Sequence, residues 1–193
     1  PFLLWSYEFL FMRGYYSKHS EEYIVSTIHA DMSAIYALFE PRLKGKRILD
    51  VGFGSGRDMV YFQSKGYEVY GIDTEPSFVR HALKTGMNVT QADVRTYETN
   101  QKFDGIWACA SLLHLSKKDM IQAMERLKGM LETSGVLFVS LKEGDSETVD
   151  EKGRLMTFVD SDFLEELGFK VLSITDDSDG RGFRWLNAIY QKA

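Results

Sequence analysis

One run, ILDVGFGSGRD at residues 48–58, restricts the fold of this chain more than any other stretch. Ile48, Leu49 and Val51 make a short apolar strand interrupted by the acid Asp50. Gly52, Gly54 and Gly56 then turn the backbone before a helix opens near Arg57. Glycines at alternate positions take dihedrals that side chains forbid, and they let backbone amides come close to a ligand. A strand, a glycine turn and a helix form the opening unit of an open α/β sheet, with a nucleotide-like cofactor expected over the turn.

The spacing narrows the cofactor. A dinucleotide fingerprint reads G-x-G-x-x-G, with an acid about 20 positions further on for the ribose. Here the third glycine arrives one residue early and an acid precedes the first, which disfavours a nicotinamide dehydrogenase. Three later segments fit the same sheet. EVYGIDTEP (68–76) reads as a second strand ending in Asp73, where a carboxylate can accept two ribose hydroxyls. VTQADV (89–94) reads as a third, ending in Asp93. FDGIWACASLLHL (103–115) reads as a fourth, running into a small-residue tip.

With these four stations the chain resembles the class I S-adenosylmethionine-dependent methyltransferases. Within that class it looks like the small single-domain proteins similar to the tellurite-resistance and ubiquinone-biosynthesis methyltransferases. The resemblance covers roughly residues 15–192. It implies that Asp50, Gly52, Gly54 and Gly56 wrap the methionine part of the cofactor, and that Asp73, followed by Thr74, holds the ribose. Asp93 and the Val94 amide would meet the adenine, and Cys109, Ala110 and Ser111 would lie beside the methionine chain. Arg57 is a candidate partner of the cofactor carboxylate, with a helix-surface ion pair as the alternative. Tyr16 and Tyr23 are candidates to face the sulfonium, with plain packing as the alternative. Similar proteins carry a Leu-Lys-Glu-Gly run after the fifth strand, so Lys142 and Glu143 are expected on the substrate side, with Arg184 on the far wall.

Methyl transfer from a sulfonium needs alignment, exclusion of water and, for some acceptors, a base. His114, just past the fourth-strand tip, is the candidate base because imidazole titrates near neutrality. The competing reading has it packing beside the helix that begins at Ser116. Cys109 reads as a small buried residue and lacks the Pro-Cys context of a covalent nucleophile. The Asn-Pro-Pro-aromatic run of amino-methyltransferases is replaced by Ala110-Ser111-Leu112-Leu113, which argues against adenine and glutamine-amide acceptors.

The rest of the chain supports one domain of 193 residues, read as a Rossmann-like open sheet of seven strands. The sheet is expected to be mostly parallel with an antiparallel last strand and helices on both faces. A helix over 20–39 is expected before the glycine turn, with Ser20 as a possible cap. Others follow at Arg57–Lys65, after Pro76 (burying Phe78, Val79, Ala82 and Leu83), after Ser116 (apolar stripe Met120, Met124, Leu127, Leu131) and after Asp160 (burying Phe163, Leu164 and Leu167). Gly135 is expected to release a strand over Val136–Leu141. Strands Lys170–Thr175 and Phe183–Tyr190, joined by the acidic turn 176–182, should pair antiparallel. The polar stretch Lys142–Phe158 is long for a loop in a compact domain and reads as a lid over the acceptor.

A net charge of −5 with no basic patch argues against nucleic acid as the partner. The single cysteine excludes an intrachain disulfide, and the four histidines lack metal-ligand spacing, so no metal is expected. Residues 1–14 read as an apolar N-terminal extension, an arm or residues upstream of a start at Met12. The first eleven of them, PFLLWSYEFLF, are too short to span a bilayer and have no basic flank to act as a signal peptide. The expectation is a cytoplasmic, S-adenosylmethionine-dependent methyltransferase acting on a small-molecule acceptor. It is expected to work as a monomer or homodimer without membrane association. The alternative is a non-catalytic S-adenosylmethionine-binding sensor or accessory subunit.

Overall fold

Successive side chains of a strand point to opposite faces, and in Arg47–Val51 (β1) four of the five residues are buried. A strand buried on both sides must lie at the centre of a covered sheet. The computed structural model, which describes residues 2–176 and 182–193 with side chains from Tyr15 onward, places it there. The other strands are Glu68–Asp73 (β2), Asn88–Gln91 (β3), Phe103–Cys109 (β4), Leu131–Lys142 (β5), Glu147–Val149 (β6), Leu155–Thr157 (β7), Lys170–Asp176 (β8) and Arg184–Gln191 (β9). Seven of them form one sheet in the order β3-β2-β1-β4-β5-β9-β8. β1 to β5 pair in parallel, and β9 runs antiparallel to both β5 and β8. The seven-stranded sheet and its antiparallel last strand are therefore as the sequence implies. Most of the turn at 176–182 lies outside the described residues.

Helices Phe2–Thr27 (α1), Ser33–Phe39 (α2), Arg57–Ser64 (α3), Pro76–Lys84 (α4), Lys117–Gly129 (α5) and Ser161–Glu166 (α6) cover the two faces. Leu49, Val51, Ile106, Leu137 and Val139 pack with Met120, Met124, Leu127 and Leu164 on one side. Ile48, Trp107, Val136 and Phe138 pack with Tyr36, Phe39, Met59 and Phe62 on the other. Trp107 and Phe138 stack with centroids 4.3 Å apart, worth about 1 kcal/mol beyond their burial.

Four local expectations are corrected. The helix over 20–39 is two pieces, since α1 ends at Thr27 and α2 starts at Ser33, while the non-helical His19 kinks α1 so that a helical piece resumes at Ser20. Leu131 is the first residue of β5 rather than the end of a helical stripe. The strand runs through Gly135, because Phe103 already pairs with Leu131. Leu83 is exposed, since α4 turns only Phe78, Val79 and Ala82 inward. The stretch Lys142–Phe158 is a built flap. β6 and β7 pair antiparallel, and the turn between them closes with Asp150 N–H donating to Arg154 O at 2.9 Å. Among the described residues no helix is long and apolar enough to cross a membrane.

Candidate functional site

Strand order reverses between β1 and β4, because β2 and β3 extend the sheet one way and β4 and β5 the other. Open sheets bind ligands at such a switch point, beyond the carboxyl ends of the strands. A half-open cavity of about 260 Å³ lies there. Its floor is the glycine turn, tied down by Gly52 N–H donating to Ile72 O at 2.7 Å. The loop runs so close to the β4 tip that a Cβ on Gly52 would sit 2.5 Å from Ser111 Cβ. A Cβ on Gly54 would sit 3.2 Å from the Tyr23 ring, on a backbone with φ of +54°. Both positions need glycine on steric grounds, as well as for any ligand above them.

Asp73, at the end of β2, accepts from Gly54 N–H at 3.0 Å and from Glu75 N–H at 2.9 Å. Burial pushes its carboxyl up to about 6, with those two amides and that of Thr74 opposing and the nearby Glu75 adding to the rise. Each carboxylate oxygen keeps capacity for a second donor facing the cavity, an arrangement that fits a vicinal diol. Thr74 lines the same edge. Two buried side-chain atoms nearby have no hydrogen-bond partner among the described residues, Ser111 Oγ and Asp50 Oδ2. Such orphans are costly unless a ligand satisfies them. Ser111 lines the cavity, and the non-glycine Ala110 just before it holds φ at +54°, a strained turn that brings Ser111 over Gly52.

The cavity's second end is formed by Asp93, Val94, Arg95, Leu115, Ser116 and Asp119. Arg95 grips the Asp93 carboxylate with Nε at 3.0 Å and a terminal nitrogen at 2.6 Å, and lies 3.6 Å from Asp119. This brace positions the Asp93 carboxylate beside the Val94 backbone. Neither Arg95 nor Asp119 stands out in the sequence as a site residue, because nothing local announces that residues 95 and 119 meet.

The third side is a wall of side chains from three segments. Tyr16 and Tyr23 come from α1, His114 from the short 3-10 helix Leu112–His114, and Arg154 and Leu155 from the flap. Tyr16, Tyr23 and Phe78 form an aromatic cluster with centroids 5.3 to 5.6 Å apart. Arg154 donates to Tyr16 Oη at 2.8 Å and to Asp150 Oδ2 at 2.7 Å. His114 Nδ1 lies 2.9 Å from Leu155 O, and its Nε2 lies 3.4 Å from Tyr16 Oη. Burial pushes the imidazole down to about 4, with the Leu155 hydrogen bond opposing. Burial likewise raises the Tyr23 phenol, so it stays protonated.

Of the residues singled out in the sequence, Gly52, Gly54, Asp73, Thr74, Asp93, Val94, Ala110, Tyr23 and His114 all line this cavity. Others stand behind it or away from it. Asp50 is sealed under the loop, its carboxyl raised by burial and by the neighbouring Asp58, against the opposing pull of Arg57. Gly56 is the N-cap of α3. Arg57 grips its neighbour Asp58 at 2.7 Å, and Asp58 also accepts from Tyr36 Oη at 2.6 Å and Trp107 Nε1 at 2.9 Å. Asp58 is thus the centre of a buried network. Lys142 lies under three aromatic rings, its ammonium 3.6 Å from the Phe183 centroid, and does not line the cavity. Glu143 and Arg184 pair with each other at 3.0 Å, also off the cavity. Burial raises the Cys109 thiol far from thiolate formation, as expected for a packing residue.

Comparison with known proteins agrees with this geometry. Residues 48–135 match the methyltransferase domain family. The chain is 34% identical over 110 residues to the ubiquinone biosynthesis O-methyltransferase of Haemophilus ducreyi, covering 51% of this chain and 46% of that protein. It is 28% identical over 160 residues to the tRNA U34 carboxymethyltransferase of Alteromonas mediterranea, covering 69% of this chain and 48% of that one. The chain therefore spans about half the length of these curated relatives. Its fold is shared with Burkholderia thailandensis 1,6-didemethyltoxoflavin-N1-methyltransferase, solved with 1,6-didemethyltoxoflavin and S-adenosylhomocysteine bound. That match has a TM-score of 0.77 at 21% identity, covering 95% of this chain and 88% of the other.

Proposed function

We propose that this chain, a member of the class I S-adenosylmethionine-dependent methyltransferase family, moves a methyl group from S-adenosylmethionine to a small-molecule acceptor. One observation carries the reading. The half-buried Asp73 carboxylate, bonded to backbone amides, opens on the same cavity as the orphaned Ser111 hydroxyl, across a loop where side chains do not fit. Asp73 would hold the ribose hydroxyls, and Asp93 and Val94 the adenine edge. Ser111 and the Gly52–Gly54 backbone would hold the amino-acid part. The bound cofactor would supply an electrophilic methyl group on a sulfonium, which leaves as a neutral thioether.

The chain's own residues then have three tasks. The aromatic cluster of Tyr16, Tyr23 and Phe78 excludes water from the reacting end and holds the acceptor in line. The flap closes that end, fastened by Thr157 Oγ1 donating to Leu115 O at 2.6 Å and by the ion pair of Lys117 with Asp145. Neutral His114 stands ready to take a proton. A small acceptor suits a cavity walled on three sides. The flap's own charges also disfavour a polyanion, since Glu143, Asp145, Glu147, Asp150 and Glu151 outnumber Lys142, Lys152 and Arg154.

Calorimetry with S-adenosylhomocysteine and NAD side by side tests the cofactor, with binding expected for the first alone. Labelled S-adenosylmethionine added to a cell extract, separated afterwards into metabolites, RNA and protein, tests the acceptor. Label is expected in the metabolite fraction. Label in RNA or protein instead would overturn the small-molecule reading, and no binding of S-adenosylhomocysteine would overturn the cofactor.

A further inference from the structure

The hydrogen bonds on the side-chain wall run in one direction. A backbone carbonyl only accepts, so the 2.9 Å contact between His114 and Leu155 O places the proton on Nδ1. Nε2 is then a bare lone pair, and Tyr16 Oη, 3.4 Å away, is the donor aimed at it. Tyr16 can donate there because Arg154, which only donates, fills its acceptor side at 2.8 Å. The chain of donors is Arg154 to Tyr16 to His114 Nε2. Its last link is long and weak, and an acceptor group in the cavity can replace it. The charged and titratable groups facing the imidazole are Tyr16 from α1, Asp150 and Arg154 from the flap, and Lys142 from β5.

We propose that this wall takes a planar aromatic or heteroaromatic acceptor carrying a phenolic, enolic or ring N–H proton, and that Tyr16 positions His114 Nε2 to receive it. The proposal rests on the methyltransferase reading above. The rings of Tyr16, Tyr23 and Phe78 offer a planar guest edge-to-face and stacked contacts. The proton balance closes within the cavity. The O–H or N–H bond breaks with its electron pair left on the heteroatom, and that pair forms the new bond to the methyl carbon. The sulfur–carbon bond breaks with its pair left on sulfur, while the proton ends on Nε2. One positive charge disappears from sulfur as one appears on imidazole, so the buried site keeps its net charge throughout. A histidine kept neutral by burial can therefore accept a proton in the same step that neutralises the sulfonium.

The test uses the full chain, ¹⁵N-labelled and saturated with S-adenosylhomocysteine, with 4-nitrophenol as the probe. Long-range ¹H–¹⁵N spectra at neutral pH are expected to show His114 as the Nδ1–H tautomer, with the Nε2 resonance moving as the probe is added. Probe affinity followed by difference absorbance should fall about tenfold in His114→Gln and about threefold in Tyr16→Phe. S-adenosylhomocysteine affinity should change less than threefold in either variant. An Nε2–H tautomer would overturn the proposal, as would equal probe affinity in all three proteins or no probe binding at millimolar concentration. Failure of S-adenosylhomocysteine to bind would instead remove the cofactor reading beneath it.

Discussion

The two ends of the cavity are made by opposite means. At the glycine-turn end the groups on offer are backbone amides and carboxylates at the ends of β2 and β3, delivered by short turns within residues 52–94. At the reacting end they are side chains brought from residues 16, 114 and 154, with Tyr16 and Arg154 separated by 138 positions. Backbone groups are fixed by the sheet itself, so the first end is as rigid as the core. Side chains on a kinked helix, a short 3-10 helix and a hairpin of three-residue strands depend on contacts among themselves, so the second end can change its specificity without disturbing the first.

Asp73→Asn should break the first end most severely. Two charge-assisted hydrogen bonds would become neutral ones, and S-adenosylhomocysteine affinity measured by calorimetry should drop about 100-fold. Thermal stability should hold or rise, because the native site buries a charge that the variant lacks. The wild-type carboxyl, pushed up to about 6 by burial, should also lose cofactor affinity as pH falls through that value, whereas Asp73→Asn should not.

His114→Gln sharpens the contrast through stability rather than binding. The unfolded imidazole takes a proton near its ordinary value, while the folded one, pushed down to about 4, does not. The unfolded state therefore binds more protons across that window, and wild-type stability falls as pH drops through it. Between pH 7.5 and 5 the wild type should lose about 2 kcal/mol more than His114→Gln in urea unfolding. Equal losses would show that the wall is open to water.

Gly54→Ala tests whether the two ends meet at Tyr23. The added methyl would crowd the Tyr23 ring on a backbone that already disfavours a side chain, and cofactor affinity should fall about tenfold. Tyr23→Leu in the same chain should recover part of that loss. The smallest effect on the cofactor belongs to Arg154→Gln. It should leave S-adenosylhomocysteine affinity within about twofold while loosening the flap, read as severalfold faster proteolysis between residues 147 and 157. A large loss of cofactor affinity in this variant would erase the distinction between the two ends.

Much of the first end was legible because its chemistry is local. Three glycines at alternate positions, and acids closing successive strands, mark a backbone turn and two carboxylates wherever such strands lie side by side. The elements mistaken were those whose context is distant. Leu131 continues the helical spacing of Met120, Met124 and Leu127, and only its pairing with Phe103 turns it into a strand residue. The polar run after Lys142 resembles an unstructured lid because its strands are three residues each, too short for alternation to register. Lys142 and Glu143 lie at the end of the fifth strand and Arg184 on the last strand as expected, yet they satisfy one another or nearby rings instead of facing the cavity.

Hydrophobic periodicity and glycine placement by themselves determined the parallel sheet, its covered faces and the carboxylates at the strand ends, since each depends on neighbours a few residues apart. Only the tertiary structure decided that His114 is neutral with its proton on Nδ1, that Arg154 holds Tyr16, and that Asp58 rather than Asp50 anchors the buried network. Burial and hydrogen-bond direction set those properties, and both come into being when segments far apart in the chain are packed together.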